Sequence, residues 1–186
     1  MLPFCESITL CDYSTANVKW LEQQHKKKWP SWGEAWKNFW ALLGKEEVYK
    51  SVREPKDELS RRVRIVHGNV LGPLVHERWD LGTMFFVAES ITGDSREFLV
   101  AVDHFFAMLK PAAPFAMAFM EHSKGYHVGS QHFPATDIDV DDVYACLHTR
   151  ADNVKIHPVV GDKPLREGYT RMIIAHGRVK HVEEIR

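Results

Sequence analysis

Short apolar runs alternate with longer amphipathic stretches along most of the chain. The run Ile8–Asp12 predicts a strand, because it is too short and too β-branched for a buried helix. Fully apolar runs at residues 84–88 and 115–120 are typical of strands that a parallel sheet buries on both faces. Further strands are predicted at residues 64–67, 154–160 and 169–176.

The amphipathic stretches predict helices between these strands. Ser14 is a suitable N-cap for a helix that continues to about Gln24. Tryptophans recur every four residues at 32, 36 and 40, and Gly44 follows as a C-cap signal, so a helix with an aromatic face packed on the core is predicted there. The other predicted helices cover residues 97–109, 140–149 and part of 46–62, with Pro55 starting a new turn.

Strands and helices alternate to about residue 160, and then two strands follow each other. This order predicts an α/β fold with a mostly parallel sheet, helices on both faces and an antiparallel hairpin at the C-terminal end. We find no internal repeat, low-complexity segment or linker. A single domain over residues 1–186 is therefore predicted.

Composition narrows the possible partners. The 186 residues carry a formal net charge of −1, which gives no global attraction to nucleic acid or to an anionic membrane, so neither is expected as a partner. Three widely spaced cysteines argue against a disulfide framework and favour the cytoplasm. No metal site is expected, because the 11 histidines include no His-Glu-x-x-His motif and no Cys-x-x-Cys motif occurs.

Asp12 is the first candidate for chemistry. An acidic residue at the end of a strand that leads into a helix is how nucleotide-binding α/β folds hold ribose hydroxyls. In those folds a glycine-rich turn on the preceding strand comes roughly 20 residues earlier. Here only residues 1–6 precede the strand, and no Gly-x-Gly occurs anywhere in the chain.

Five segments, in this order and spacing, carry a family resemblance. They are Asp12-Tyr13-x-x-x-Asn17, Gly68-Asn69-Val70, Leu109-Lys110-Pro111-Ala112-Ala113, the segment Ser-Lys-Gly-Tyr-His-Val-Gly-Ser-Gln-His-Phe at 123–133, and Glu167-Gly168-Tyr169. Together they resemble class I S-adenosylmethionine-dependent methyltransferases, and among these the nicotinamide, phenylethanolamine and thioether N-methyltransferases. The resemblance covers essentially the whole chain and implies a Rossmann-like fold with S-adenosyl-L-methionine as cofactor.

The resemblance also implies where the cofactor binds. Asp12 and Asn17 would hold the ribose, Tyr13 would pack on the adenine, and Asn69 with Val70 would lie beside it. Glu89 is added as a cofactor contact because ligands bind beyond the carboxyl ends of strands in open α/β sheets. Other interpretations stay open: a helix-capping Asp12, an ordinary helix residue at Asn17, a core Tyr13, an Asx-turn at Asn69 and a solvated loop at Glu89.

The predicted function is methyl transfer to a small-molecule nucleophile, and the resemblance favours an amine. Ser90, Ser123 and Tyr126 are the predicted substrate contacts, with Glu121 and Tyr126 as catalytic residues. His122 is an alternative to Glu121 for orienting or deprotonating the acceptor, although a solvated loop is the simpler interpretation of that histidine. The alternative function is a catalytically inactive remnant that serves as a binding or interaction module.

Three departures from the family pattern matter. The first strand and its glycine-rich turn are absent, so the domain is predicted to be truncated at its N-terminus. The strands that normally flank the first strand then pair directly, or a second copy supplies a strand in a homodimer through exposed edges, or the chain is a fragment of a longer product. Asn69 replaces an aspartate, and Ala112-Ala113 replaces two glycines, which is expected to restrict that turn to negative φ.

Overall fold

The computed structural model describes residues 1–73, 77–161 and 166–180, without the side chains of residues 34 and 35. The chain divides into two compact units, which we call unit 1 (residues 1–69) and unit 2 (residues 70–186). The prediction of a single domain stays a prediction. Within the described ranges, no helix is long and apolar enough to cross a membrane.

Unit 1 contains one parallel strand pair and three α-helices. The elements are β1 (Ile8–Asp12), α1 (Thr15–Lys26), α2 (Glu34–Leu43), a 3₁₀ helix (Glu47–Ser51), α3 (Pro55–Arg62) and β2 (Val63–His67). Strand β1 pairs with β2 so that Ile8 lies opposite Val63 and Asp12 lies opposite His67. Ser14 caps α1, as the sequence predicts, by accepting a hydrogen bond from the Asn17 amide.

The core of unit 1 is small. Its buried apolar residues are Leu2, Ile8, Trp29, Val52 and Leu59. Trp40 packs partly against this cluster, but Trp36 is 48% and Phe39 61% exposed, so the predicted packing of the whole aromatic face is wrong. The reason is geometric, because among the described side chains of α2 only Trp40 packs against this cluster, and Trp32 precedes the helix.

The described residues of unit 2 form a mixed four-stranded sheet, two helices and a separate small hairpin. The elements are β3 (Gly82–Phe85), α4 (Ser95–Ala107), β4 (Pro114–Met120), β5 (Tyr126–Val128), β6 (Gln131–Phe133), α5 (Val140–His148), β7 (Ala151–Val159) and β8 (Met172–Val179). The strand order is β3-β4-β8-β7, with β3 parallel to β4 and β8 antiparallel to both of its neighbours. The α/β prediction and the C-terminal hairpin are confirmed. The β5–β6 hairpin was not predicted.

The core of unit 2 is extensive. Alternate residues of β4, Phe115, Met117 and Phe119, are buried on one face of the sheet, as the period of a strand requires. Phe119 meets Phe98 of α4 edge-on, with ring centroids 6.1 Å apart. Val143 of α5 is fully buried in the same cluster. The predicted buried strand is therefore the centre of the largest core in the described residues.

Left-handed backbone conformations change two predicted details. Strand β3 ends at Phe85 rather than Ala88, because Phe86 has φ 57° and turns its amide to the carbonyl of Ala118 at 2.7 Å. Ala112 has φ 60°, so the expectation of negative φ in that turn is wrong. Its amide donates to the carbonyl of Val179 at 2.9 Å, a bond that helps to hold the strained residue in place.

The edges of the two sheets bear on the alternatives for a missing strand. Strand β1 has β2 as its partner in a two-stranded sheet, and β3 has β4 as its parallel partner in the four-stranded sheet. β1 and β3 therefore belong to different sheets, so the alternative in which they pair directly is wrong for the described residues. The second-copy alternative stays a prediction.

Candidate functional site

The carboxyl ends of β1 and β2 lie at one edge of the parallel pair. Asp12 ends β1 and His67 ends β2 directly opposite it. The amide of Gly68 donates to the carbonyl of Asp12 at 3.0 Å, so the chain after β2 is tied to the chain after β1. Gly68 is required by space, since a Cβ there would lie 2.5 Å from the Sγ of Cys11. The predicted cofactor residues of unit 1 therefore gather at this edge.

Asp12 and Asn17 are brought together. One carboxylate oxygen of Asp12 accepts from the Ser14 amide at 2.8 Å, and the other accepts from Nδ2 of Asn17 at 3.1 Å. The helix-capping interpretation and the ligand interpretation of Asp12 are thus compatible. One bond orders the turn, and the pair still presents a carboxylate and an amide carbonyl at the exposed surface of α1, where a diol can donate to both.

Tyr13 and His67 form an exposed aromatic surface beside this pair. Their rings stack at 5.9 Å with an interplanar angle of 26°, and Tyr13 is 68% exposed, so its interpretation as a core residue is wrong. His67 Nε2 lies 2.7 Å from the carbonyl of Tyr13, and since a carbonyl only accepts, this nitrogen carries the proton. The motif search missed His67. Its place at the end of the strand that pairs with Asp12 is the signal that would have found it.

Asn69 and Val70 follow this segment. Asn69 is exposed in unit 1, which leaves it accessible to a ligand. In unit 2 the carbonyl of Val70 accepts a hydrogen bond from Nδ1 of His104 at 2.7 Å, and its side chain packs partly against the core. The predicted cofactor roles of both residues stay predictions.

In unit 2 three segments share one edge of the sheet. Residues that follow β3 and β4 lie at the carboxyl ends of these parallel strands, and residues that precede β8 join them because β8 runs antiparallel to β4. This edge is where open α/β sheets bind ligands. We call the following residues the unit 2 edge cluster: Glu89, Ser90, Glu121, Ser123, Tyr126 and Arg166.

Glu89 is the most unusual member of the edge cluster. It is fully buried, and its Oε1 accepts from the Ser90 hydroxyl and from the Met120 amide, each at 3.1 Å. Its Oε2 has no hydrogen-bond partner among the residues that the structure describes. Burial raises the pKa of this carboxyl, while the hydrogen bonds and the charge of Arg166 act against the rise. A buried carboxylate with an unused oxygen is costly for folding and is typical of a ligand site.

Glu121, a predicted catalytic residue, is held differently. Arg171 donates to its Oε1 through Nη2 at 2.9 Å, and Nε of Arg171 lies 2.7 Å from its Oε2 without the alignment of a hydrogen bond. Glu121 is only 3% exposed, so this contact is a largely buried structural ion pair. The adjacent His122 is half-exposed and bonds Asp137 through Nδ1 at 2.8 Å, which raises the pKa of its imidazole.

Ser123 and Tyr126 contact Arg166, which the sequence analysis missed. Ser123 is buried and accepts from Arg166 Nη2 at 2.9 Å. The guanidinium carbon of Arg166 lies 5.5 Å from the ring centroid of Tyr126, which also stacks on Phe133 at 5.2 Å. Arg166 directly precedes the Glu-Gly-Tyr segment that carries part of the resemblance, and this position is the signal that could have identified it.

Metal ligation has no support in the part of the chain that the structure describes, where no three His, Cys, Asp or Glu side chains group to hold an ion. The described residues offer a polar pair beside an exposed aromatic stack in unit 1, and a buried carboxylate and a guanidinium at one edge of the sheet in unit 2.

Comparisons with known proteins give the fold. No protein-family model and no curated protein matches the sequence. Among solved structures, the N-methyltransferase NodS from Bradyrhizobium japonicum WM9, in complex with S-adenosyl-L-homocysteine, matches with TM-score 0.58 and 14% identity, covering 96% of this chain and 69% of that one. A S-adenosylmethionine-dependent methyltransferase from Clostridium acetobutylicum ATCC 824 matches with TM-score 0.59 and 10% identity, covering 94% of this chain and 76% of that one.

A third solved structure, described as a SAM-dependent methyltransferase from Methanosarcina mazei, matches with TM-score 0.58 and 12% identity, covering 94% of this chain and 83% of that one. At such identities the likeness establishes the fold alone. The chain has the Rossmann-like α/β fold of these methyltransferases, which confirms the predicted fold class.

Proposed function

We propose that this protein transfers a methyl group from S-adenosyl-L-methionine to a small-molecule amine, and that it does so in the cytoplasm. The fold is consistent with the methyl transfer. The observation that carries the choice of an amine is the buried carboxyl of Glu89, whose Oε2 has no partner among the described residues. An amine supplies the hydrogen-bond donor and the positive charge that such an oxygen lacks.

The residues at the edge of unit 1 fit part of the cofactor. Asp12 and Asn17, joined at 3.1 Å, suit the two hydroxyls of a ribose, and the exposed stack of Tyr13 on His67 suits the face of an adenine. The fit is partial, since the sequence has no Gly-x-Gly turn to approach the rest of the cofactor.

Little acid–base chemistry is needed from the protein. S-adenosyl-L-methionine, when bound, would supply an electrophilic methyl group that already carries its leaving group, the sulfonium sulfur, so that the acceptor nitrogen needs only a free lone pair. Glu89 orients the acceptor nitrogen and takes the proton that it loses, because burial raises the pKa of this carboxyl toward the range of a useful base. Glu121 is the weaker choice for this role, since Arg171 holds both of its oxygens.

The second candidate function is a binding module that retains the fold without turnover. The absence of Gly-x-Gly from the sequence favours it, because that turn lets a cofactor approach the backbone. Tight binding of the cofactor product without methylation of any amine would support this candidate over the enzyme.

Calorimetric titration with S-adenosyl-L-methionine and S-adenosyl-L-homocysteine tests the proposal. We expect both to bind, and we expect Asp12→Ala and Asn17→Ala to weaken binding by about 10- to 100-fold, the value of a hydrogen bond to a charged group. Glu22→Ala is the matched control, because Glu22 is an exposed carboxylate of α1 outside the site. Absence of binding at millimolar ligand would refute the cofactor assignment.

Methylation is measured separately, by mass spectrometry of a panel of small amines incubated with the cofactor. We expect at least one methylated amine and its loss in Glu89→Gln, while Glu121→Gln keeps measurable turnover if it remains folded. Turnover that survives Glu89→Gln would rule out the role of Glu89.

A further inference from the structure

Arg166 occupies a defined position at the edge of the unit 2 sheet. It lies in the segment before β8, so it meets the chain that follows β4. Its Nη1 donates to the carbonyls of Gly125 at 2.8 Å and Glu167 at 3.2 Å, and its Nη2 donates to the hydroxyl of Ser123 at 2.9 Å. Because Ser123 is buried, this last bond ties one side of the guanidinium to the protein interior.

Two tyrosines hold the guanidinium of Arg166. Its central carbon lies 5.5 Å from the ring centroid of Tyr126 and 5.5 Å from that of Tyr169. A guanidinium carries five N–H groups, and the three bonds to Ser123, Gly125 and Glu167 leave two of them without a partner among the described residues. Stacking on aromatic rings does not use these donors, since they lie in the plane of the guanidinium.

Arg166 has no acidic partner among the described residues, where no carboxylate lies within ion-pair distance of its guanidinium. Arg171, by contrast, forms an ion pair with Glu121. The charge of Arg166 acts on the Glu89 carboxyl, whose pKa it lowers against the larger effect of burial. The edge cluster thus presents a buried carboxylate with one unused oxygen and a guanidinium with two unused donors.

We propose that the methyl acceptor is an amino acid, whose amino group is bound by Glu89 and whose carboxylate is bound by Arg166. This inference rests on the proposed function and adds the class of the acceptor. The two protein groups have opposite charges and share one edge of one sheet, and an amino acid carries the two complementary charges on one small molecule. Arg166 is then the residue that selects amino acids over simple amines, since a site built to bond a substrate group rejects the analogue that lacks it.

Matched ligands test the proposal. Protein saturated with S-adenosyl-L-homocysteine is titrated calorimetrically with L-histidine, L-phenylalanine and L-tryptophan, with their decarboxylated amines, and with their methyl esters. We expect at least one amino acid to bind about 10-fold or more tightly than its amine and its ester, the value of a charge-assisted hydrogen bond. Arg166→Gln is expected to reduce this preference to about twofold or less.

Arg178→Gln is the matched control, because Arg178 bonds the carbonyl of Ala112 in the turn before β4 and should leave the preference intact. If circular dichroism shows that Arg166→Gln does not fold, Arg166→Lys replaces it, and we expect a preference that is reduced but present. A wild-type protein that binds every amine as tightly as its amino acid would overturn the inference, and so would a preference unchanged in Arg166→Gln. Failure of the proposed function is distinguishable, because S-adenosyl-L-homocysteine itself would then not bind.

Discussion

Unit 1 and unit 2 place their candidate residues in opposite environments. At the edge of unit 1, Tyr13 is 68% exposed and Asn17 lies on the surface of α1. At the edge of unit 2, Glu89 is fully buried and Ser123 is 2% exposed. Asp12 and Asn17 are joined by hydrogen bonds within a few residues of each other, whereas Glu89 and Ser123 each bond a segment that lies far away in the sequence.

This difference follows from the size of the two cores. Unit 2 can bury polar groups because its apolar cluster, centred on β4, supplies the free energy that offsets their desolvation. Unit 1 has a small cluster around Ile8 and Trp29 and leaves polar chemistry at the surface. Polar residues buried in unit 2 therefore carry a cost that suggests function, whereas exposed polar residues in unit 1 are recognised only by their geometry.

The largest expected effect is on the free energy of unfolding, and a comparison of one phenylalanine from each unit measures it. Phe119→Ala should lower the free energy of unfolding by about 3–5 kcal/mol, because Phe119 is 2% exposed and its loss leaves a cavity beside Phe98. Phe39→Ala should change it by less than about 0.5 kcal/mol, because Phe39 is 61% exposed on α2. Urea unfolding followed by circular dichroism measures both.

Phe119→Leu is the control for cavity size and should cost clearly less than Phe119→Ala, since it keeps more of the side-chain volume. A loss above about 1.5 kcal/mol for Phe39→Ala would show that the aromatic face of α2 is packed in solution and would remove this contrast between the units.

The next prediction concerns two buried carboxylates of unit 2, whose replacement by glutamine should change the free energy of unfolding in opposite directions. Glu121→Gln should destabilise by about 2 kcal/mol, below the usual range for a buried pair because the Arg171 side chain is 36% exposed. Glu89→Gln should stabilise at neutral pH. Burial raises the native pKa of Glu89, so the folded protein keeps a proton that the unfolded chain has released, and the free energy of unfolding falls as pH rises between the two pKa values.

Unfolding in urea at pH 5 and at pH 8 measures this sign. The advantage of Glu89→Gln over the wild type should be larger at pH 8, since the raised pKa makes the wild type lose stability as pH rises and the glutamine does not titrate. If the difference in stability between Glu89→Gln and the wild type is the same at pH 5 and at pH 8, the buried carboxyl already has a hydrogen-bond partner in solution.

Most of the helices and strands, and the contact between Asp12 and Asn17, could be predicted from the sequence. Strand β1 and the Ser14 cap were predicted because β-branched runs and capping residues act locally. Asp12 and Asn17 were predicted to act together, and they do contact, because five residues along a turn and a first helical turn leave few other arrangements. The parallel pairs and the final hairpin follow from the alternation of elements.

What the sequence could not predict depends on distant segments or on backbone strain. Arg166 is 41 residues from Gly125, whose carbonyl it bonds, and only the antiparallel placement of β8 beside β4 brings them together. Whether Trp36 is buried depends on what α2 packs against, because its helical period is the same in either case. The left-handed conformation of Ala112 is set by its bonds to the end of β8 and cannot be inferred from an alanine.

The smallest expected effect is the stabilisation gained when glycine relieves a strained backbone conformation. It should be similar in both units, because backbone strain is local and does not depend on the size of the core. Ala112 in unit 2 has φ 60° and Lys28 in unit 1 has φ 56°, and glycine adopts this region without the Cβ clash. Ala112→Gly and Lys28→Gly should each stabilise by about 0.5 kcal/mol, since the relief of strain exceeds the entropy that glycine adds to the unfolded chain. Thermal unfolding of both variants measures the gain.

Ala113→Gly is the control for this last comparison. Ala113 is 5% exposed and is not among the residues with positive φ, so glycine there should lower stability. The ion pair of Lys28 with Asp57, at 3.9 Å between exposed side chains, is too weak to mask the gain. Stabilisation by Ala112→Gly without any by Lys28→Gly would mean that the end of α1 relaxes in solution, and the contrast between the large core of unit 2 and the small core of unit 1 would then extend from side chains to the backbone.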